Sequence, residues 1–284
     1  MKYALLDKAG NIIKKDRVPS TQDENEFLKK IDQIVDSFEN LKGIAFCAPG
    51  QVLNNIIHFG GSLTFLDGMN FPARYEKLNI PIAVINDGKA SVLDESWLGN
   101  LKGIDNCASL TLGTGIGGGC IINGRLISGT HAQASELSFM RFDPSPTAHE
   151  IAGFTYSAVQ MIRDVNTVAG NPDIKDGVAA FKVIQSGNKE AIQRFNKFCA
   201  GVATIIFDMQ TVIDLQKYTI GGGISAQSIV IDTINQAYDQ VYKNNSLISQ
   251  TLTKPEICAT KFRNDANLYG ALYNLLLQEN NEQI

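Results

Sequence analysis

The stretch SLTLGTGIGGGCIINGRL, Ser109 to Leu126, constrains the fold more than any other part of the chain. Five of the seven residues from Gly113 to Gly119 are glycine, apolar strands flank them, and Asn123-Gly124 supplies a two-residue turn. The spacing Gly113, Gly115, Gly118 satisfies a dinucleotide fingerprint, but that fingerprint must open a helix whose amides hold a pyrophosphate. Cys120-Ile121-Ile122 followed by Asn-Gly is instead hairpin grammar. No Gly-Lys-Ser/Thr follows, so a P-loop is excluded. The reading is a glycine-rich turn between antiparallel strands, in which missing Cβ atoms let main-chain amides approach a phosphate and Thr114 adds a hydroxyl. A tight hairpin with a bulge and no ligand fits the same residues.

A chain of 284 residues, 44% hydrophobic and 19% charged, is long enough for a large core and two domains. Its net charge of −4 offers no footprint for nucleic acid, which excludes nonspecific DNA binding. The five cysteines are scattered with no CxxC pair, as in buried thiols of a reducing compartment, and no apolar run is long enough to span a bilayer. A cytoplasmic protein is expected.

In chain order, residues 2–6 and 12–18 read as a hairpin, and Phe27, Ile31, Ile34, Val35 and Phe38 follow helical spacing. Gly43 to Cys47 is an apolar strand, and Gln51 to Asn79 reads as looser chain in which Ser62, Thr64, Asp67 and Asn70 can face a polar ligand or plain solvent. Ile82 to Ile85 is a buried strand, Asn86-Asp87 stands at its C-terminal end, and a helix follows over Gly88 to Leu98. A carboxylate between a strand end and a helix start is where ligands collect in α/β folds, while a helix N-cap is the alternative role for Asp87 and the two need not exclude each other. Leu98 to Asn106 reads as the domain link, with domains over 1–102 plus 265–284 and over 103–264. Residues 190–213 carry the clearest helical stripe; Tyr218 to Ile220, Gly221-Gly222-Gly223 and Ser225 to Tyr242 form a strand, a glycine turn and a helix; Glu256 to Ala259 and Ala266 to Leu277 close the chain as strand and helix.

The ordered set of strand-Asn86-Asp87-helix, LTLGTGIGGG, Glu136, IGGGIS and NDANLYGAL at 264–272 resembles the ROK family of bacterial sugar kinases and sugar-responsive repressors, within the actin-like ATPase superfamily. The resemblance implies an α/β chain of two ribonuclease-H-like domains flanking a central cleft. It implies transfer of the γ-phosphate of ATP, with Mg²⁺, to the 6-hydroxyl of a hexose or hexose derivative. Asp87 would be the catalytic base. Asn86, Glu136, Glu150 and Gly61 would contact the sugar, and Gly113, Thr114, Gly115, Gly222 and Gly223 the nucleotide. Family members commonly form homodimers, and the absence of a DNA-reading segment ahead of the core disfavours the repressor branch.

Two departures bear on these implications. The family's zinc-binding His position is Phe139 here, and Phe142 to His149 contains no cysteine, leaving His131 and His149 too few for a four-ligand site, so no metal centre is expected. The family's first strand ends in an Asp-x-Gly-Gly-Thr phosphate turn, and no Gly-Gly-Thr occurs before residue 40. Residues 2–7 therefore take the place either of the family's second strand or of its first, the latter with Asp7 to Asn11 as a degenerate phosphate turn. Turnover of ATP by the chain hangs on this, and a sugar-binding protein without catalysis is the competing reading.

Overall fold

The computed structural model describes residues 1–61, 63–144 and 150–280. Strands β1 (Lys2–Leu6) and β2 (Ile12–Arg17) form the expected hairpin, and Asp23 caps α1 (Glu24–Asp36), whose Phe27, Leu28, Ile31 and Val35 are buried. Strand β3 (Ile44–Ala48) is followed by an unforeseen hairpin of β4 (Gln51–Leu53) and β5 (Ile56–His58). The link between them, Asn54-Asn55, has both residues at positive φ, the conformation a tight two-residue hairpin turn demands and asparagine tolerates. A short helix α2 (Phe71–Arg74), strand β6 (Ile82–Asn86) and helix α3 (Asp87–Trp97) complete the first half.

The second half opens with β7 (Cys107–Leu112), β8 (Ile116–Ile122) and β9 (Arg125–Leu126). Helices α4 (Ala152–Thr155), α5 (Ala158–Ala169), α6 (Gly177–Gln185) and α7 (Lys189–Ile213) follow, then β10 (Lys217–Gly221), α8 (Ser228–Asn244), α9 (Ser246–Thr251), β11 (Glu256–Ala259) and α10 (Ala266–Glu279). Helix α6 was not foreseen from sequence. The helix expected from Ser225 begins at Ser228, after a 3₁₀ turn over Gly223–Ala226.

One five-stranded sheet runs β11-β10-β7-β8-β9, with β7 parallel to β10 and antiparallel to β8. Among the described residues, strand β3 pairs in parallel with β6 alone, and β1 pairs with β2 alone. Residues 2–6 are therefore not laddered beside β3, which removes the reading in which they replace a first, central strand. The Asp7–Asn11 turn is equally misplaced for phosphate. Asp7 spends its carboxylate on Ala9 N–H, Asn11 N–H and the Asn11 amide, which hold its carboxyl below the ordinary carboxylate range. Gly10 packs on Trp97 and Leu98, at the far end of α3 from Asp87, roughly 15 Å along an eleven-residue helix.

Three apolar clusters hold the described residues together. The largest joins the five-stranded sheet to α5, α6, α7 and α8; a second gathers α1, β3, β5 and α2; a third lies between α3 and α10 and includes Ile85, Leu93, Cys107, Ile121 and Ala271. Helices α3 and α10 touch main chain to main chain: a Cβ on Gly270 would fall 2.1 Å from the Ala90 carbonyl oxygen. The expected link at Leu98–Asn106 is packed, with Leu101 fully buried. No helix among the described residues is long and apolar enough to cross a membrane.

Candidate active site

The glycines that opened the sequence reading have two jobs. Those in the strand make a bed for α3: a Cβ on Gly88 would meet the Gly118 main chain at 2.6 Å, and a Cβ on Gly119 would meet Val92 at 2.6 Å and the Gly88 carbonyl at 2.8 Å. The same strand takes the following loop, since a Cβ on Gly118 would lie 2.8 Å from the Ser135 carbonyl. Bare backbone on β8 thus lets the start of α3 and the 129–136 loop come together over it. Asp87 and Glu136, distant in sequence, become neighbours for that reason.

Asn86, not Asp87, is the N-cap of α3. Its Oδ1 accepts from Gly88 N–H (2.9 Å) and Lys89 N–H (3.2 Å), and its Nδ2 donates to the Gly50 carbonyl (2.8 Å). That work occupies both ends of its amide. Asp87, the first helical residue, keeps an exposed edge, and one oxygen of its partly enclosed carboxylate accepts from Gly88 N–H at 2.9 Å. Surrounding protein strips water from this carboxyl and raises it above the ordinary carboxylate range, against the pull of the Gly88 amide.

Lys89 was missed in the sequence, where it reads as one more polar residue on a helix. It is 5% exposed, and its ammonium donates to the Ala132 carbonyl at 2.6 Å. Desolvation pushes its pKa down while Glu136 pulls it back up. The Glu136 carboxyl is raised by desolvation, lowered by Lys89 and raised by Asp87. Asp87, Lys89 and Glu136 therefore form one electrostatic unit. The ammonium also fixes a loop with two non-glycine residues at positive φ, Ala132 and Ser135.

The remaining sequence-derived residues divide. Gly61, at φ +59, packs against Pro49, next to the Gly50 that Asn86 holds, so it borders the start of α3. Thr114 is exposed on the tip between β7 and β8, Gly113 has open space where a side chain would stand, and Gly113 N–H closes the turn on the Gly115 carbonyl (3.0 Å). Gly222 is obligatory: its φ is +97 and a Cβ would fall 2.1 Å from the Leu112 carbonyl, while Gly223 beside it is open. These two turns adjoin through Leu112. Glu150 is exposed and lines surface hollows with Phe142, Phe154, Thr155 and Gln160 rather than joining the Asp87 unit. Asp67 and Asn70 serve the fold, accepting from Phe59 N–H and Ala73 N–H. Ser62 and His149 lie outside the described residues, whereas Phe139, one turn after Glu136, is 67% exposed.

The family model described as the ROK family matches residues 1–279. A β-glucoside kinase of Listeria innocua is 27% identical over 98% of this chain and 92% of its own length. Among solved structures, a ROK family protein from Streptococcus pneumoniae in complex with sucrose has a TM-score of 0.87 and 27% identity, covering 99% of this chain and 95% of its own. A ROK family glucokinase from Streptomyces griseus, solved with glucose and AMPPNP, has a TM-score of 0.81 at 19% identity, over 95% and 93%, a likeness of fold. The fold is accordingly α/β, with the two ribonuclease-H-like domains of the actin-like ATPases about a central cleft.

Proposed function

This chain belongs to the ROK family, and from that premise we propose that it is an ATP-dependent sugar kinase which phosphorylates a hexose or hexose derivative at the 6-hydroxyl. The observation that carries the reading is the gathering of Asp87, Lys89 and Glu136 over the bare backbone of β8. Glu136 accepts hydrogen bonds from sugar hydroxyls, for which an ionised carboxylate offers several lone pairs. Asp87 accepts the proton of the attacking hydroxyl. Its raised pKa makes it a better base than an ordinary carboxylate, and phosphoryl transfer asks mainly for positioning and charge stabilisation. The turns at Gly113–Gly115 and Gly222–Gly223 suit nucleotide phosphates, because Gly113 and Gly223 stand in open space where a phosphate can approach the main chain. Mg²⁺ would arrive with ATP, neutralising its phosphates and needing only one or two protein carboxylates.

The test is Asp87→Asn in a coupled assay of ADP release with a panel of hexoses, alongside calorimetry of sugar binding. Turnover is expected to fall by about 10²–10⁴ with sugar affinity retained. Unchanged turnover would remove Asp87 from the chemistry.

One observation favours the second reading, a sugar-binding protein without catalysis. Strands β1 and β3 are not laddered to each other, and no described residue between them supplies a phosphate-binding turn. Sugar-dependent thermal stabilisation without ADP release from any hexose would select it.

A further inference from the structure

Gly50 packs on Phe59 where the chain leaves β3 for the β4–β5 hairpin; its φ is +89, and a Cβ there would fall 2.2 Å from the Phe59 carbonyl oxygen. This bare turn carries the main chain past the start of α3, close enough for Asn86 Nδ2 to donate to the Gly50 carbonyl (2.8 Å). The next residue, Gln51, pairs with His58 across the hairpin. The hairpin is a fixed support: Asn55 Oδ1 accepts from Val84 N–H of β6 (2.8 Å), Asn55 Nδ2 donates to Gln278 of α10 (3.0 Å), and Ile57 is fully buried.

From that support Gln51 reaches into the second half of the chain, where its Nε2 donates to the His131 carbonyl. The adjoining carbonyl, that of Ala132, accepts from the Lys89 ammonium (2.6 Å). Lys89 N–H in turn donates to Asn86 Oδ1 (3.2 Å), and a circuit is closed. It runs from Asn86 to Gly50 and Gln51, across to His131 and Ala132, and back through Lys89 to Asn86. Asp87 stands between the two helix residues of the circuit, and Glu136 follows Ala132 on the loop.

The loop's own main-chain bonds are local. Ala132 N–H donates to the Gly129 carbonyl (3.2 Å) and Ala134 N–H to the Ser128 carbonyl (3.0 Å), with Ala132 and Ser135 at positive φ. Neither bond reaches α3 or the hairpin. Among the described residues, the neighbouring carbonyls of His131 and Ala132 carry the hydrogen bonds that tie this loop to the first half of the chain. Both belong to one short stretch of main chain, so release of either lets the other move.

We propose that Gln51 is a positioning residue for the sugar site: by holding the His131 carbonyl it sets Glu136 against Asp87, and it works with Lys89 as one clamp. This role rests on the sugar-kinase reading of the same site. Gln51 acts through the loop and not on the reacting atoms. Asp87 keeps its place when the clamp opens, because Asn86 still caps α3 through Gly88 N–H. Opening the clamp therefore weakens contacts that the sugar makes alike before and during phosphoryl transfer, which raises KM and spares kcat.

The test compares Gln51→Met, which matches the side chain's length without a donor, with Gln51→Lys, which keeps a donor, alongside Lys89→Met and the double variant Gln51→Met/Lys89→Met. Each is followed by calorimetry with hexoses, by ADP release and by amide exchange without sugar. In Gln51→Met, sugar affinity should fall and KM rise by about threefold to tenfold, the worth of one neutral hydrogen bond, with kcat held within about twofold. Gln51→Lys should recover most of that loss. The double variant should lie within about twofold of Lys89→Met instead of at the product of the two single effects. The Ala132 and Ala134 amides should exchange faster in Gln51→Met while those of β7 do not change. Sugar affinity unmoved by Gln51→Met, equal losses in the Met and Lys variants, or a double variant at the full product would each overturn the role of Gln51. Unchanged exchange at Ala132 and Ala134 would overturn the clamp whether or not a hexose binds. Absence of hexose binding by the unaltered chain would overturn the sugar reading and, with it, the place of Gln51 in that site.

Discussion

Two acidic residues next to each other on α3 show how much a single side chain's surroundings decide. Glu95 is buried and fully engaged, with one oxygen accepting from Lys261 N–H (2.6 Å) and Phe262 N–H and the other from Asn100 N–H (2.7 Å). Asp94 is equally buried, but its Oδ2 has no hydrogen-bond partner, and desolvation with the adjacent Glu95 pushes its carboxyl up to about 9. Because the folded value exceeds the unfolded one, the folded chain binds the extra proton between those two values. Stability should therefore be highest near pH 4 and decline toward pH 9 through this group. Asp94→Asn should flatten that slope in denaturant titrations at pH 5 and pH 8, whereas Glu95→Gln should destabilise at both. Lys89 makes a second prediction at this scale. Lys89→Met keeps the buried stem but leaves the Ala132 carbonyl without its donor, a charge-assisted bond of roughly 1.5–3 kcal/mol. Under the proposed function, KM for the sugar should rise by about tenfold or more while the chain stays folded by circular dichroism. An unchanged KM would dissociate the loop from sugar binding.

Among the elements, α3 depends on two close approaches, to β8 and to α10. Gly270→Ala places a methyl group 2.1 Å from a helix carbonyl that cannot swing away, and Gly118→Ala places one 2.8 Å from the Ser135 carbonyl and against Leu137. Each should cost about 1–3 kcal/mol in chemical unfolding, the usual range for overpacking. Gly170→Ala, at positive φ unlike those two and with open space around it, isolates the cost of strained backbone alone and should cost less. Gly118→Ala should in addition lower sugar affinity, because it shifts the loop that carries Glu136, and Gly270→Ala should not.

Across the whole molecule, stability is unevenly shared. Strands β7 and β10 lie inside a five-stranded sheet under the largest apolar cluster, while the β1–β2 hairpin is tied to the turn before α10 by Lys2–Asn264 and Lys15–Asp265 and to the end of α10 by Lys8–Glu279, all at the surface. Exposed ion pairs contribute little and are screened by salt. Native-state exchange should show the hairpin amides opening well below the global unfolding free energy, and opening more readily in high salt, with β7 and β10 protected in both conditions. Equal protection of hairpin and sheet would contradict this division.

The sequence by itself determined what local chemistry can dictate. Apolar periodicity marked α1, α3, α7 and α10, β-branched runs ended by turn residues marked the strands, and an ordered set of glycine turns with Asp87 and Glu136 marked the family and the residues of the candidate site. It did not reveal the β4–β5 hairpin, although Asn54-Asn55 was the available signal, nor α6, nor the buried state of Lys89. The tertiary structure decided the rest, because those properties depend on what lies opposite in space. Asn86 took the helix cap because its amide also reaches Gly50, the β8 glycines served as a bed because α3 crosses them, and Glu150 stood apart from the Asp87 unit because α4 and α5 set it over a different hollow. Whether residues 2–6 are a central or an outer strand could not be read from their pattern, since one apolar strand satisfies either. Only the ladder, formed with β2 and not with β3, distinguishes them.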